Sequence, residues 1–335
     1  MIVSYPRLPP PLHQSSAIST IPPASTFLLE FISFLALYIS PPLGLSRYER
    51  TAAGATAWAL VTGSSDGIGH AFSSELARRG FNVVLHGRNA EKLTAVKSEL
   101  ASQYPARQFR IIIADASDLS NVSFPGIAAS LSDIPLKILI NNAGAMMPRH
   151  QFGPVDSFTT EELSANISIN ATFPLLLTGV LMPLLVANQP SLVLNVGSLA
   201  DVGMPLFPSY GPSKAFLMNS SIELGLESVL EGRDVDVVGL RIMQVTGTGT
   251  MVLPPSFLVP DAATWVRAAF ARVGCGRPTV LPYWPHAVQL ALWEALPDWV
   301  KRKALISAVK EMREGDPTGK KTAAAAAADL RKKGL

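Results

Sequence analysis

A short apolar run, Ala57–Val61, passes directly into the turn Thr62-Gly-Ser-Ser-Asp-Gly-Ile-Gly69. The turn in turn opens helically spaced apolar positions at Ile68, Phe72, Leu76 and Ala77, and Gly80 ends them. Few folds place a glycine-rich turn between a buried strand and a helix. Glycine there lets backbone amides approach a pyrophosphate, and the helix N-terminus favours its charge. The same strand-then-helix unit recurs. Apolar strands are expected at Phe81–Leu85, Phe109–Ala114, Leu136–Ile140, Ser191–Val196 and Val235–Leu240. Helices are expected at Ala90–Gln103, Glu161–Val186 and Tyr210–Glu231. Continuous apolar strands alternating with amphipathic helices predict an α/β fold, a doubly wound parallel sheet of the Rossmann type covered on both faces.

In such a sheet, ligands lie at the carboxyl ends of the strands. Candidate cofactor residues there are Gly63, Ser65, Asp66, Gly67, Ile68 and Gly69 in the turn after the first strand. Arg88 follows the second strand, Asp115 closes the third beside the expected adenine site, and Asn142, Ala143 and Gly144 close the fourth. No Asp or Glu lies between Phe81 and Ala90 to hold a ribose hydroxyl. A basic residue in that place suits a 2′-phosphate, so NADP(H) is the expected cofactor.

Tyr210 and Lys214 stand four residues apart, and on a helix that spacing shares one face. An ammonium beside a phenol favours the phenolate, lowers the phenol pKa and makes a usable general acid. Ser198 lies upstream, just after the apolar run Leu192–Val196. A Tyr-x-x-x-Lys pair alone also fits an ordinary helix face.

The chain has 335 residues, 48% hydrophobic and 16% charged, with a formal charge of +3. That composition excludes wholesale disorder, and basic residues not interleaved with aromatics argue against nucleic-acid binding. One cysteine, Cys275, allows neither an intrachain disulfide nor a cysteine zinc site. The five histidines (13, 70, 86, 150 and 286) have no metal-ligand spacing and are expected in the core or on the surface, so no metal is expected.

The ends differ from the middle. Residues 1–25 are a Pro- and Ser-rich leader. Residues 26–45 approach the roughly 20 apolar residues of a membrane helix, with Glu30 inside and Pro41-Pro42 near the end. Arg47 and Arg50 on the far flank place that flank in the cytosol. A membrane anchor, a cleaved signal peptide and a helix packed on the soluble domain all remain open. The expected organisation continues with a cofactor-binding domain at 52–284, C-terminal helices at 285–314 and a basic Ala/Lys tail at 315–335. Lys332 and Lys333 match a dilysine retrieval signal of the endoplasmic reticulum. Sequons at Asn121, Asn166 and Asn170 test topology, because a glycan at Asn170 conflicts with catalysis there.

Taken together, Thr62–Gly69, Asn141–Gly144, Asn170, Ser198, Tyr210 and Lys214 resemble the short-chain dehydrogenase/reductases, from about Ala57 to Arg241. The run Ser65–Gly69, the run Arg79–Leu85 and Pro282–Val288 are similar to very-long-chain 3-oxoacyl-CoA reductases and their relatives, the 17β-hydroxysteroid dehydrogenases of types 3 and 12. The resemblance implies an NADPH-dependent ketone reductase on the endoplasmic reticulum membrane, with its catalytic domain cytosolic. It implies catalytic roles for Asn170, Ser198, Tyr210 and Lys214, cofactor contacts from the last two and Asn170, and a homodimer face on the two long helices. Val245 and Thr246 correspond to nicotinamide contacts, although 241–248 lacks the family's proline. The Ser198–Tyr210 interval is also one residue shorter than in the relatives. The implied substrate is a 3-oxoacyl-CoA. A hydroxysteroid or secondary-metabolite ketone is the alternative, and a catalytically idle NADP-binding membrane scaffold is a third.

Overall fold

The structure is a computed structural model that describes residues 54–147, 152–248 and 254–315, together with 44–49, 51 and several positions between 32 and 39. The expected leader, most of the expected membrane segment and the basic tail from 316 onward lie outside the described residues. The chain divides into two compact units, Met1–Ser40 and Pro41–Leu335. In the first, Ile32, Phe34 and 36–39 are helical, and the Phe34 and Tyr38 rings lie 4.9 Å apart.

The second unit begins with a short helix, α1 (Ser46–Glu49). There follow β1 (Trp58–Thr62), α2 (Gly67–Arg78), β2 (Asn82–Gly87), α3 (Ala90–Gln103), β3 (Phe109–Ile113), α4 (Phe124–Ser130) and β4 (Leu136–Asn141). The chain continues through α5 (Thr160–Ile167), α6 (Phe173–Ala187), β5 (Ser191–Val196), α7 (Tyr210–Leu230) and β6 (Val235–Leu240). Last come α8 (Ala262–Ala271), β7 (Thr279–Val280), α9 (Trp284–Glu294) and α10 (Asp298–Gly315). All seven strands are parallel, in the order β3-β2-β1-β4-β5-β6-β7. The order reverses between β1 and β4, which opens a crevice at their carboxyl ends. At the opposite edge, Arg47 and Tyr48 of α1 hold Asp236, and Arg47 also holds Asp234 beside it.

The expected doubly wound sheet is therefore present. β1, β2, β4 and β5 are buried along their whole length, as continuous apolar runs require. Phe173, Leu177, Leu181 and Leu185 recur every four residues on α6 and are fully buried against Leu139, Val193 and Val237 of the sheet. Each such side chain contributes about 1.5–3 kcal/mol. Thr160–Ala187 is the one helical stretch among the described residues long and apolar enough to cross a membrane, but this stripe makes it a core element of the domain.

Two features depart from the expected elements. The single helix expected over Glu161–Val186 is interrupted by a π turn, Ser168–Thr172. Pro174 has no N–H to donate to the Asn170 carbonyl four residues back, so the regular ladder stops there. Second, α4 and the two-residue β7 come from stretches whose apolar pattern is too short to announce an element.

Candidate active site

Asp66 caps the N-terminus of α2, its carboxylate accepting from the Gly67 N–H at 2.7 Å. The turn is tight: a Cβ on Gly69 would lie 2.0 Å from the Gly63 carbonyl oxygen, so only glycine fits. Thr62, at the end of β1, fastens the turn to the next strand. Its hydroxyl donates to Ile140 O at 3.2 Å and accepts from the N–H groups of Asn142 and Ala143, both at 2.9 Å. The Asn142 amide donates back to Thr62 O at 2.9 Å. The predicted turn residues and Asn142-Ala143-Gly144 thus lie side by side across the crevice. Thr62 was not singled out from sequence, although its place at the strand end marks it. Behind this edge, buried Asn141 donates to Thr178 and Asn195, and Asn195 donates to Ser221, a polar chain that joins β4, β5, α6 and α7.

Arg88 and Asp115 meet at the ends of β2 and β3, with Arg88 Nη1 3.7 Å from Asp115 Oδ2. The Arg88 side chain is 72% exposed. Partial burial pushes the Asp115 carboxyl up, but hydrogen bonds from Ser117 and the charge of Arg88 outweigh it and hold the group below its usual range.

Lys214, at the start of the second turn of α7, is buried and donates to Val196 O at 2.9 Å. Its Nζ lies 5.8 Å from the centre of the Tyr210 ring. Asn170 comes in from the π turn. Its amide donates to Ala145 O and Asn166 O at 2.8 and 2.9 Å, and its oxygen accepts from Ala145 N–H at 3.2 Å. Asn170 and Lys214 converge on one point: a Cβ on Gly144 would sit 2.9 Å from Asn170 Oδ1 and 3.0 Å from Lys214 Nζ. Ser198 lies two residues beyond β5, where its hydroxyl accepts from Ala200 N–H at 3.1 Å and interacts with the Tyr210 hydroxyl. Ser198, Tyr210, Lys214 and Asn170 therefore share one corner of the crevice.

One expectation is reversed. Lys214 was expected to lower the Tyr210 pKa, yet burial pushes the phenol up, and only the Ser198 hydrogen bond opposes it. Burial acts on the lysine too, bringing it down to about 8. The ammonium donates to the Val196 carbonyl, and desolvation is the largest influence on both groups.

Val245 and Thr246 are buried in the segment after β6. The Thr246 N–H donates to Pro260 O at 3.0 Å, and Thr246 and Asp261 form a parallel bridge. Farther along, a Cβ on Gly67 would lie 3.3 Å from Thr248 Cα, so this segment folds back over the glycine turn. His286, fully buried on α9, faces the Leu258 carbonyl at 3.2 Å and steadies the same region.

Several positioning residues had no usable signal in the sequence. Asn166 donates to Ala145 O at 2.8 Å and accepts from Ser209 at 2.9 Å, anchoring the residue before Tyr210. Beyond its sequon, its mark is its place one helical turn before Asn170. Asp201 and Arg241, 40 residues apart, form a two-pronged ion pair beside Ser198.

The chain matches a family model described as short chain dehydrogenase over residues 57–251. It is 33% identical to a very-long-chain 3-oxoacyl-CoA reductase of Candida glabrata over 286 residues, 78% of each chain. It is 30% identical to a very-long-chain 3-oxoacyl-CoA reductase of Caenorhabditis elegans over 268 residues, 80% of this chain and 84% of the other. Among solved structures it is similar to a 7β-hydroxysteroid dehydrogenase, with TM-score 0.64 and 24% identity over 74% of this chain and 96% of that one. The family match takes in every strand of the sheet but the last, and the chain belongs to the short-chain dehydrogenases, a family of nicotinamide-dependent oxidoreductases acting on C=O and CH–OH groups.

Proposed function

We propose that the protein reduces a 3-oxoacyl-CoA to the 3-hydroxyacyl-CoA with NADPH, as a step in very-long-chain fatty-acid elongation. The principal support is its similarity, along most of both chains, to relatives named for that reaction. The crevice fits a dinucleotide: the close approach of Gly69 to Gly63 leaves room that a side chain would fill, at the N-terminus of α2. Gly63, Ser65, Asp66, Gly67, Ile68 and Gly69 would hold the pyrophosphate, Asp115 the adenine, and Asn142, Ala143 and Gly144 the far wall. Arg88, exposed at a strand end whose own residues 81–90 include no Asp or Glu, would leave its loose 3.7 Å pairing with Asp115 to hold a 2′-phosphate. Val245 and Thr246 would face the nicotinamide amide.

When bound, the cofactor supplies a hydride to the ketone carbon. Tyr210 gives its proton to the carbonyl oxygen, and its raised pKa keeps that proton in place until the oxygen becomes basic. Ser198 donates a hydrogen bond to the same oxygen as charge builds on it. Lys214 holds the nicotinamide ribose and keeps positive charge beside the phenol ring. Lys214 and Asn170 enclose the point at Gly144 through which a water relay restores the Tyr210 proton.

In this reading the domain sits on the cytosolic face of the endoplasmic reticulum membrane, supported by the positive flank after the apolar segment and the dilysine ending. Asn166 and Asn170 are buried and cannot carry glycans in the folded chain, whereas the Asn121 sequon is exposed and reports on topology. A homodimer would use the outer faces of α6 and α7, where Leu176, Phe216, Leu226 and Val229 are exposed. Turnover of NADPH with 3-oxoacyl-CoAs, hydroxysteroid ketones and simple ketones tests the substrate class. Preference for a steroid ketone over every 3-oxoacyl-CoA would overturn it.

A further inference from the structure

Tyr210 is packed against an apolar cluster that the sheet does not supply. Phe152, Phe207 and Val309 are its buried members, with Met146, Met204 and Leu206 around them. The Phe152 and Phe207 rings meet edge-on at 5.1 Å, and Phe207 lies 6.3 Å from the Tyr210 ring. The loop between Ser198 and Tyr210 is shaped to bring Phe207 inward. It turns at Gly203 (φ 89°) and again at Leu206 (φ 64°), a conformation that a bulky side chain rarely adopts. Gly153 N–H donates to the Leu206 carbonyl at 3.2 Å and fixes that turn. Strained backbone of this kind gathers at ligand-binding segments.

Val309 reaches the cluster from α10, and within 298–314 it is the only buried residue. By helical geometry Arg302 lies two turns before Val309, and Arg313 one turn after it, on the same face. Arg302 is exposed and Arg313 half-buried, and neither makes an ion pair among the described residues. Besides Val309 the helix is only half-buried at best, at positions such as Ala304, Leu305 and Ala308, and Lys301 ties its start to Glu294 of α9 at 3.0 Å. A helix with one buried valine flanked by two guanidinium groups adds little to the core. It is well arranged to close over a long apolar ligand with an anionic head.

We propose that α10 is a cap on the substrate cleft, with Val309 completing an apolar wall for the acyl chain beside Tyr210 while Arg302 and Arg313 take phosphates of the thioester carrier. This rests on the acyl-thioester function proposed above. Guanidinium groups suit phosphate because their planar donors pair with two oxygens at once.

The test compares KM ratios within each variant, which do not depend on the fraction of protein that is folded. One ratio sets a 3-oxoacyl-CoA against the N-acetylcysteamine thioester of the same acyl group, which has no phosphates. In the double variant Arg302→Gln/Arg313→Gln that ratio should rise about a hundredfold, the loss of two charge-assisted contacts at about tenfold each. A second ratio sets a long-chain 3-oxoacyl-CoA against a short-chain one, and in Val309→Ala it should rise severalfold. An unchanged carrier ratio overturns the phosphate assignment, and an unchanged chain-length ratio overturns the apolar wall. Failure of the unsubstituted protein to reduce any 3-oxoacyl thioester would instead refute the acyl-thioester function itself, before any variant is compared.

Discussion

Arg241 grips Asp201 through two nitrogens, Nε at 2.8 Å and Nη2 at 2.5 Å. The pair ties the segment after β6 to the turn that begins at Ser198, and Leu199 N–H adds a bond to Ile242 O at 2.9 Å. The Asp201 side chain is only 8% exposed. Arg241→Ala leaves that carboxylate buried without a partner and should cost about 3 kcal/mol in urea unfolding. The double variant Arg241→Met/Asp201→Leu removes both charges and should recover most of that loss. A double variant no more stable than the single one would show that the pair is not acting through buried charge.

Arg88 separates the two nicotinamide cofactors. Arg88→Ala should raise KM for NADPH tenfold to a hundredfold, the range of a lost charge-assisted hydrogen bond of about 1.5–3 kcal/mol. KM for NADH should change little. Steady-state rates with both nucleotides read the contrast, and equal losses for the two would remove Arg88 from the phosphate site.

How much of this was open to the sequence depends on the length scale of the cause. The strands were legible because burial on both faces demands unbroken apolar runs, as in Leu136–Asn141 and Ser191–Val196. The glycine turn was legible because Gly69 answers a steric demand only two angstroms wide. Tyr210 and Lys214 were legible as one helical face, but their electrostatics were not, since burial depends on everything packed around them. The π turn at Asn170, the Asp201–Arg241 pair and the arrival of Val309 beside Phe207 all depend on tertiary contacts. No local spacing encodes them.

Lys214 sets two pH dependences. Its pKa falls from 10.5 to about 8 on folding because burial disfavours the charged form. The unfolded chain therefore holds more protons between about pH 8 and 10.5, and stability should rise with pH across that window. The reductase needs the charged lysine, so kcat/KM should fall as pH passes about 8. Lys214→Met should abolish activity yet raise stability near neutral pH by up to about 3 kcal/mol. Thermal melts at pH 7 check the sign, and a less stable variant would contradict it.

His86 supplies a second case of the same sign, in a lower pH window. It is buried at the end of β2, stacks on Phe173 at 5.1 Å, and neither ring nitrogen has a hydrogen-bond partner among the described residues. Burial brings its pKa from 6.5 down to about 4. The neutral ring contributes stability that is present above pH 6.5 and lost as pH falls toward 4, up to about 3 kcal/mol. His86→Leu should be at least as stable at pH 7 and should lose less on acidification to pH 4.5. Urea midpoints at the two pH values decide it, and equal acid losses would show that His86 is not the responsible group.

The most direct test of the proposed chemistry is turnover of a 3-oxoacyl-CoA with NADPH by the unsubstituted protein and by Tyr210→Phe, with nucleotide binding measured alongside. That substitution keeps a ring packed against Phe207 and removes only the proton donor. The expected result is reduction by the unsubstituted protein and a loss on the order of a thousandfold in kcat for the variant, the scale of general acid catalysis, with NADPH affinity nearly unchanged. Retained turnover in Tyr210→Phe would contradict the assignment of Tyr210 as the acid.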